Sequence, residues 1–134
     1  MEENCIFCSI VAGNVHAWKV LETETTLAFL DAHPVGVYHT LIIPKAHYSD
    51  MFTVPQAVLA DTMETVRQVS LLYKDKLGLE NLHVFNNSGR LASQSVFHLH
   101  FHILPRYPDD GNNFPRFNRP DLSDRFEAMI EALQ

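Results

Sequence analysis

Phe97-His98-Leu99-His100-Phe101-His102-Ile103-Leu104-Pro105 is the stretch on which the fold of this 134-residue chain turns. Side chains alternate between the two faces of a strand. One face of this segment therefore carries His98, His100 and His102, and the other carries Phe97, Leu99, Phe101 and Ile103. The apolar set predicts a strand over Val96–Leu104 lying on a hydrophobic core. The histidine set predicts chemistry. Adjacent imidazoles are costly as mere structure, because each needs a partner when buried and they resist being protonated together. Histidine is also the side chain that titrates nearest neutral pH, and the chain holds eight.

The residues just upstream narrow that chemistry. Asn86-Asn87-Ser88-Gly89-Arg90-Leu91-Ala92-Ser93-Gln94-Ser95 is rich in small and amide residues. Such a turn can aim backbone N–H groups and neutral donors at an anion. From the strand alone, the histidines read either as three ligands of one metal or as a nucleophile with its supports. A phosphate-sized anion beside them favours phosphoryl or nucleotidyl transfer.

Working outward, residues Ile6–Ala12 predict one or two helical turns stopped by Gly13. Trp18–Leu21 and Thr26–Leu30 predict two strands around the polar turn 22–25, and Leu41–Ile43 predicts a buried strand ended by Pro44. The main helix is expected over Pro55–Leu77. Thr53 and Gln56 have capping-box spacing, Pro55 suits a first turn, and Gly78 suits a left-handed stop. Leu59, Met63, Val66, Tyr73 and Leu77 form its apolar stripe. Leu82–Asn86 predicts another strand. A terminal helix is expected over Leu122–Leu133, capped by Asp121 or Ser123, after a surface loop or mobile tail at 108–120. Strands in neighbouring pairs with one long helix between the third and fourth imply α+β with an antiparallel sheet.

Composition bounds the answer further. The length suits one domain. A formal net charge of -6 opposes binding to nucleic acid polymers or anionic membranes, but leaves room for a small nucleotide in a local site. No apolar run approaches the ~18 residues of a membrane span. The acidic N-terminus does not read as a signal peptide. Cys5 and Cys8 are too close to staple a secreted fold and read as a metal or redox pair. The expected location is the cytoplasm.

Taken together, Gln94-Ser95-Val96-Phe97-His98-Leu99-His100-Phe101-His102-Ile103-Leu104 resembles the histidine triad (HIT) motif. The resemblance reaches Tyr107 and includes Cys5-Ile6-Phe7-Cys8, Phe29-Leu30-Asp31 and Leu41-Ile42-Ile43-Pro44-Lys45-Ala46-His47. It is similar to the short bacterial proteins and the nucleotide phosphoramidases of the HINT branch. The resemblance implies a HIT domain over 1–107, with 108–134 as a loop and helix packed on it. It implies a sheet of roughly five antiparallel strands, one long helix, and short helices at each end.

The resemblance also implies roles. His100 would be the nucleophile, forming a nucleotidyl-histidine that water then hydrolyses. His102 would hydrogen-bond the phosphate, with His98 completing the catalytic row. Ser95 would contact phosphate near the leaving group. Asn86 would reach phosphate with Asn87 as competitor, and Ser93 and Gln94 would belong to the same loop. Asp31 would hold the ribose hydroxyls, while Phe7, Ile10, Phe29 and Leu30 would wall the base. Zinc-binding members imply Cys5, Cys8, His47 and His98 as ligands of a structural Zn2+. The implied partners are a purine nucleotide and a second copy of the chain.

Two positions depart from the family pattern. Ser93 stands where a glycine is usual before the glutamine, and Tyr38 precedes His39-Thr40 where Gly-His-Thr is common. Serine there is strained if the backbone needs positive φ. Outside the motif, His16 and His83 read as structural or surface residues and His39 as a packing residue near the site. Trp18 reads as core or interface. Arg106 reads equally as an anion contact or a surface residue, and Lys45 lies toward the site mouth. The expected activity is release of AMP from a phosphoramidate or adenylylated small molecule. Dinucleoside polyphosphate hydrolysis, nucleotidyl transfer to another acceptor, and nucleotide-binding regulation with little turnover are the competing readings.

Overall fold

Alternation along the strands decides which layer each element joins. The computed structural model describes residues 4–111 and 113–134. The acidic start at 1–3 and Asn112, inside the expected 108–120 loop, lie outside the described residues. Five strands, β1 (Lys19–Glu22), β2 (Thr26–Leu30), β3 (Thr40–Pro44), β4 (Asn81–Asn86) and β5 (Phe101–Arg106), form one sheet in the order β1-β2-β3-β5-β4. Every neighbouring pair is antiparallel.

One face, with Ala28, Leu30, Ile42, Phe101 and Ile103, packs on the long helix α2 (Gln56–Leu77) and the C-terminal helix α3 (Phe126–Glu131). The opposite face, with Leu27, Phe29, Leu41 and Ile43, packs on the short helix α1 (Ile6–Val11). Leu41 pairs with His102 across β3 and β5, so His102 belongs to the α1 face. The α+β antiparallel architecture is therefore as expected. No helix among the described residues is long and apolar enough to cross a membrane.

The largest departure concerns the histidine segment. The strand expected over Val96–Leu104 begins only at Phe101. Phe101, the first residue of β5, is paired to both β3 and β4, and upstream of it the chain leaves the ladder. The N–H of Leu99 then donates to the carbonyl of Tyr48 at 2.6 Å. Leu99, Phe101 and Ile103 stay buried, but Phe97 is 40% exposed rather than in the core.

Helix α2 ends as expected, with Gly78 at φ 66 donating its N–H to the carbonyls of Tyr73 and Lys74. It starts at Gln56 without the capping box, because Thr53 Oγ1 is spent inside the Asp50 turn. Its buried stripe is Thr62, Thr65, Val66, Val69 and Tyr73, while Met63 faces solvent. The threonines are tolerated there because Thr62 bonds the Val58 carbonyl and Thr65 meets Thr26 at 2.7 Å. At the C-terminus a 3-10 segment (Pro120–Arg125) replaces the first turns of the expected helix. Ser123 there donates to the Pro120 carbonyl and Asp121 pairs with Arg119, so neither caps α3.

Candidate functional site

Residues 98–102 cross from irregular chain into strand, and three rings emerge with three different hydrogen-bond environments. His98 is fully buried and its Nε2–H donates to the carbonyl of Pro44 at 2.8 Å. Its Nδ1 lone pair therefore points at Cys5 Sγ (3.4 Å), Cys8 Sγ (3.5 Å) and His47 Nδ1 (3.1 Å). The four ligand atoms of Cys5, Cys8, His47 and His98 lie within 4.8 Å of one another. Cys5 also starts α1, its Sγ accepting the N–H of Cys8 at 3.3 Å. Burial raises the Cys5 thiol above its ordinary range, so a cation is needed to favour its thiolate.

His100 has the opposite tautomer. Its Nδ1–H donates to the backbone carbonyl of His98 at 2.7 Å, which leaves Nε2 with a lone pair and no hydrogen bond among the described residues. Burial lowers its pKa, opposed by the His98 carbonyl and the Asp31 charge. At neutral pH the ring is an uncharged base with one nitrogen free.

His102 is oriented from behind by His39. The N–H of Val35 donates to His39 Nδ1 at 3.1 Å. A neutral His39 must then carry its proton on Nε2, which donates to His102 Nδ1 at 2.9 Å. His102 in turn must carry its proton on Nε2, the one buried side-chain polar atom without a partner among the described residues. Leaving such a donor unpaired costs about 1–3 kcal/mol. Burial pushes the pKa of His102 down to about 3 and that of His98 down to about 4, nearby imidazoles adding to both. Phe85 stacks on His102 at 4.4 Å and 7°, which locks the ring plane. Asp31, His39 and His102 also lie close enough to share an ion. The Val35 N–H opposes that use, since it takes the Nδ1 lone pair and forces the proton onto the nitrogen a metal would need.

His100 and His102 open onto a cavity of about 980 Å³. Phe7, Ile10 and Phe29 line it from the α1 side, and Asp31, Ser93 and Ser95 line it around the histidines. Two expected contacts are corrected. Asn86 does not face the cavity: its amide donates to the His100 carbonyl at 2.9 Å and its Oδ1 accepts from Ser88, whereas Asn87 lines the wall. Gln94 is buried and braces the loop, accepting from the Gly89 N–H and donating to the carbonyls of Ser49 and Val96. Leu30 is among the residues lining the cavity and also packs in the α2-side core, on the face opposite Phe29.

The remaining assignments sort similarly. His16 and Trp18 line the cavity rather than the surface or core alone. Lys45 is paired with Glu22 at 2.8 Å, and Arg106 with Asp110. His83 sits against Arg106 and Phe114. Phe85, the Val35 N–H and the carbonyls of Pro44 and His98 escaped the sequence reading. Backbone groups have no residue signature, and Phe85 looked like any strand aromatic. Ser93 has φ 71 and Tyr38 φ 63, so both departures from glycine occupy left-handed backbone.

A five-stranded antiparallel sheet carrying a row of neutral, oriented imidazoles at a nucleotide-sized cavity defines the class of the histidine triad proteins. A family model for the HIT domain matches residues 12–109, and the chain belongs to that family. It is 42% identical over 133 residues to adenosine 5'-monophosphoramidase hnt1 of Schizosaccharomyces pombe, covering 97% of this chain and 96% of that one. It is 42% identical over 105 residues to Protein hit of Bacillus subtilis, covering 78% and 72%. Among solved structures, a zinc-bound histidine triad family protein from Mycobacterium smegmatis superposes with TM-score 0.82 at 32% identity, covering 97% of this chain and 93% of that one. Nucleotide hydrolase or transferase chemistry is the general activity that these likenesses support.

Proposed function

We propose that the protein is a hydrolase that releases AMP from a phosphoramidate or an adenylylated small molecule through a covalent intermediate on His100. The observation that carries this is the opposed pair of nitrogens at the cavity. His100 offers a free Nε2 lone pair while His102 offers an unpartnered Nε2–H. A nucleophile beside a donor waiting for an oxyanion suits attack at phosphorus.

In the first step the Nε2 pair of His100 forms the N–P bond. The bond from phosphorus to the leaving nitrogen breaks, its electron pair goes to the amine, and the amine takes a proton from water. The His98 carbonyl, held on Nδ1–H, stabilises the positive charge then carried by the ring. His102 Nε2–H and the Ser95 hydroxyl bind the phosphoryl oxygens. In the second step water forms the new O–P bond and loses a proton, His100 departs with its pair, and AMP is released. Phe7, Ile10 and Phe29 hold the base, and Asp31 accepts from the ribose hydroxyls.

We read the Cys5, Cys8, His47 and His98 cluster as a structural zinc site. Tetrahedral zinc separates nitrogen and sulfur ligands by roughly 3.3–3.8 Å, close to the 3.1–3.5 Å of four of the six ligand pairs, all six lying within 4.8 Å. Bound zinc would hold both thiols as thiolates and tie α1 to the histidine segment. We read the working form as a cytoplasmic homodimer. β4 is a sheet edge with Val84 exposed, and α2 exposes Met63 and Leu71. The test of the activity is trapping with AMP labelled at phosphorus, donated from an AMP amide. Label should stay on the wild type after denaturation and be absent from His100→Ala. Equal labelling of both would remove the nucleophile assignment.

A further inference from the structure

The chain after β5 does not wander off as a tail. Its described residues form a strap that lines the cavity and is fastened at three places. Arg106 grips its start, bonding Asp110 and the carbonyls of Gly111 (2.8 Å) and Asn113 (3.1 Å). Phe114 packs at its middle against His83 (4.7 Å) and Phe85 (5.5 Å), the same Phe85 that stacks on His102. Its end is held by the N–H of Arg119 donating to the Pro34 carbonyl at 2.6 Å. Pro115 and Arg116 lie between these fastenings and line the cavity.

Arg116 differs from its neighbours in having nothing to hold. Arg106 is spent on Asp110, and Arg119 is spent on Asp121. Arg116 has no ion pair and no side-chain hydrogen bond among the described residues, and it is the one arginine or lysine lining the cavity. Position in the sheet says which part of a substrate it meets. Helix α1 covers β2 and β3, where the apolar residues Phe7, Ile10 and Phe29 lie. The strap packs on β4, the far edge of the sheet, through Phe85 and His83, and His100 and His102 line the cavity along with residues of both ends. A base bound under α1 therefore sends the leaving group toward the strap.

We infer that Arg116 is a specificity residue that recognises an anionic leaving group, so that the favoured substrates are AMP amides carrying a second acidic group. This rests on the hydrolase reading above. A guanidinium fork suits a carboxylate or a phosphate equally, and Arg116 is in no ion pair among the described residues.

The test uses three AMP amides that share one P–N bond: those of glycine (a carboxylate), 2-aminoethyl phosphate (a phosphate) and benzylamine (neutral). The wild type is expected to favour one or both acidic amides over the neutral one by about tenfold or more in kcat/KM. Arg116→Gln should erase that ratio, and Arg116→Lys should restore part of it. The acidic amide that loses more identifies the natural anion. An equal loss on all three amides, or no acidic preference in the wild type, overturns the inference. If no amide is turned over, it is the hydrolase reading that fails. The calorimetric affinities of the three amides then decide the role of Arg116, with equal wild-type affinities counting against it. The side chain is exposed, so the variant has little packing to lose, and its thermal unfolding checks this.

Discussion

His98 and His100 stand two residues apart in one motif, yet they face opposite demands. Each is pinned by a backbone carbonyl, but through different nitrogens. Pro44 holds His98 by Nε2, and the carbonyl of His98 itself holds His100 by Nδ1. The freed nitrogen of His98 meets two buried thiols and a partly buried imidazole, and the freed nitrogen of His100 meets a cavity. On the function proposed above, the first ring would hold the structure and the second would react. Position in the motif did not make that difference; the hydrogen-bond acceptor behind each ring did.

The comparison breaks hardest at the reacting ring. His100→Ala should lower turnover of an AMP amide by about 10⁴-fold or more, measured by product release, while leaving metal content unchanged. The complementary change, Cys8→Ala, should do the reverse in kind. It should abolish stoichiometric zinc, measured by elemental analysis, and cost about 3 kcal/mol or more in denaturant unfolding. If both variants lose metal and activity to the same degree, the two rings are not functionally separate.

His39→Asn sharpens the comparison on its other side. Without the donor behind it, His102 is free to move its proton to Nδ1, so kcat should fall about 10–100-fold. Turnover should also become more acid-sensitive, and a loss of stability alone would not produce that change in the pH profile.

Acid should act on the same pair through folding. Burial lowers the pKa of His39 and of His102, the latter to about 3 from 6.5, with His100 and Asp31 also facing them. The fold favours their neutral forms. Their contribution is therefore complete above pH 6.5 and is lost as pH falls from there toward 3. Urea unfolding across that range should show a declining free energy, with a shallower slope in His39→Asn. The smallest effect is expected at the loop. Ser93→Gly should stabilise the protein by about 1 kcal/mol, because exposed Ser93 holds left-handed backbone without compensating contacts. Tyr38 is not equivalent, since its hydroxyl donates to the Met129 carbonyl and its ring packs on Tyr73.

Much of this was legible in residue order. The short apolar runs Thr26–Leu30 and Leu41–Ile43 predicted strands, the second of them buried, and Gly78 marked the end of α2. The histidine row and the Cys5/Cys8 pair announced the two chemical centres. What misled were local signals that tertiary contacts overrode. Thr53 and Gln56 had the spacing of a cap, but the Asp50 turn claimed the hydroxyl. Met63 fitted the helical stripe, but the sheet met α2 along Thr62 and Thr65 instead. Asn86 and Gln94 looked like phosphate contacts, yet both amides are consumed in bracing the site.

Residue types and their periodicity by themselves determined an antiparallel sheet, a long helix, and a histidine row beside a phosphate-friendly loop, because those depend on short-range alternation and side-chain chemistry. Only the tertiary structure decided which nitrogen of each ring is free, that Arg116 is brought to the cavity, and that Phe97 lies outside the core. Those outcomes depend on which backbone carbonyls and N–H groups the fold brings behind each ring, and such groups leave no mark in residue type.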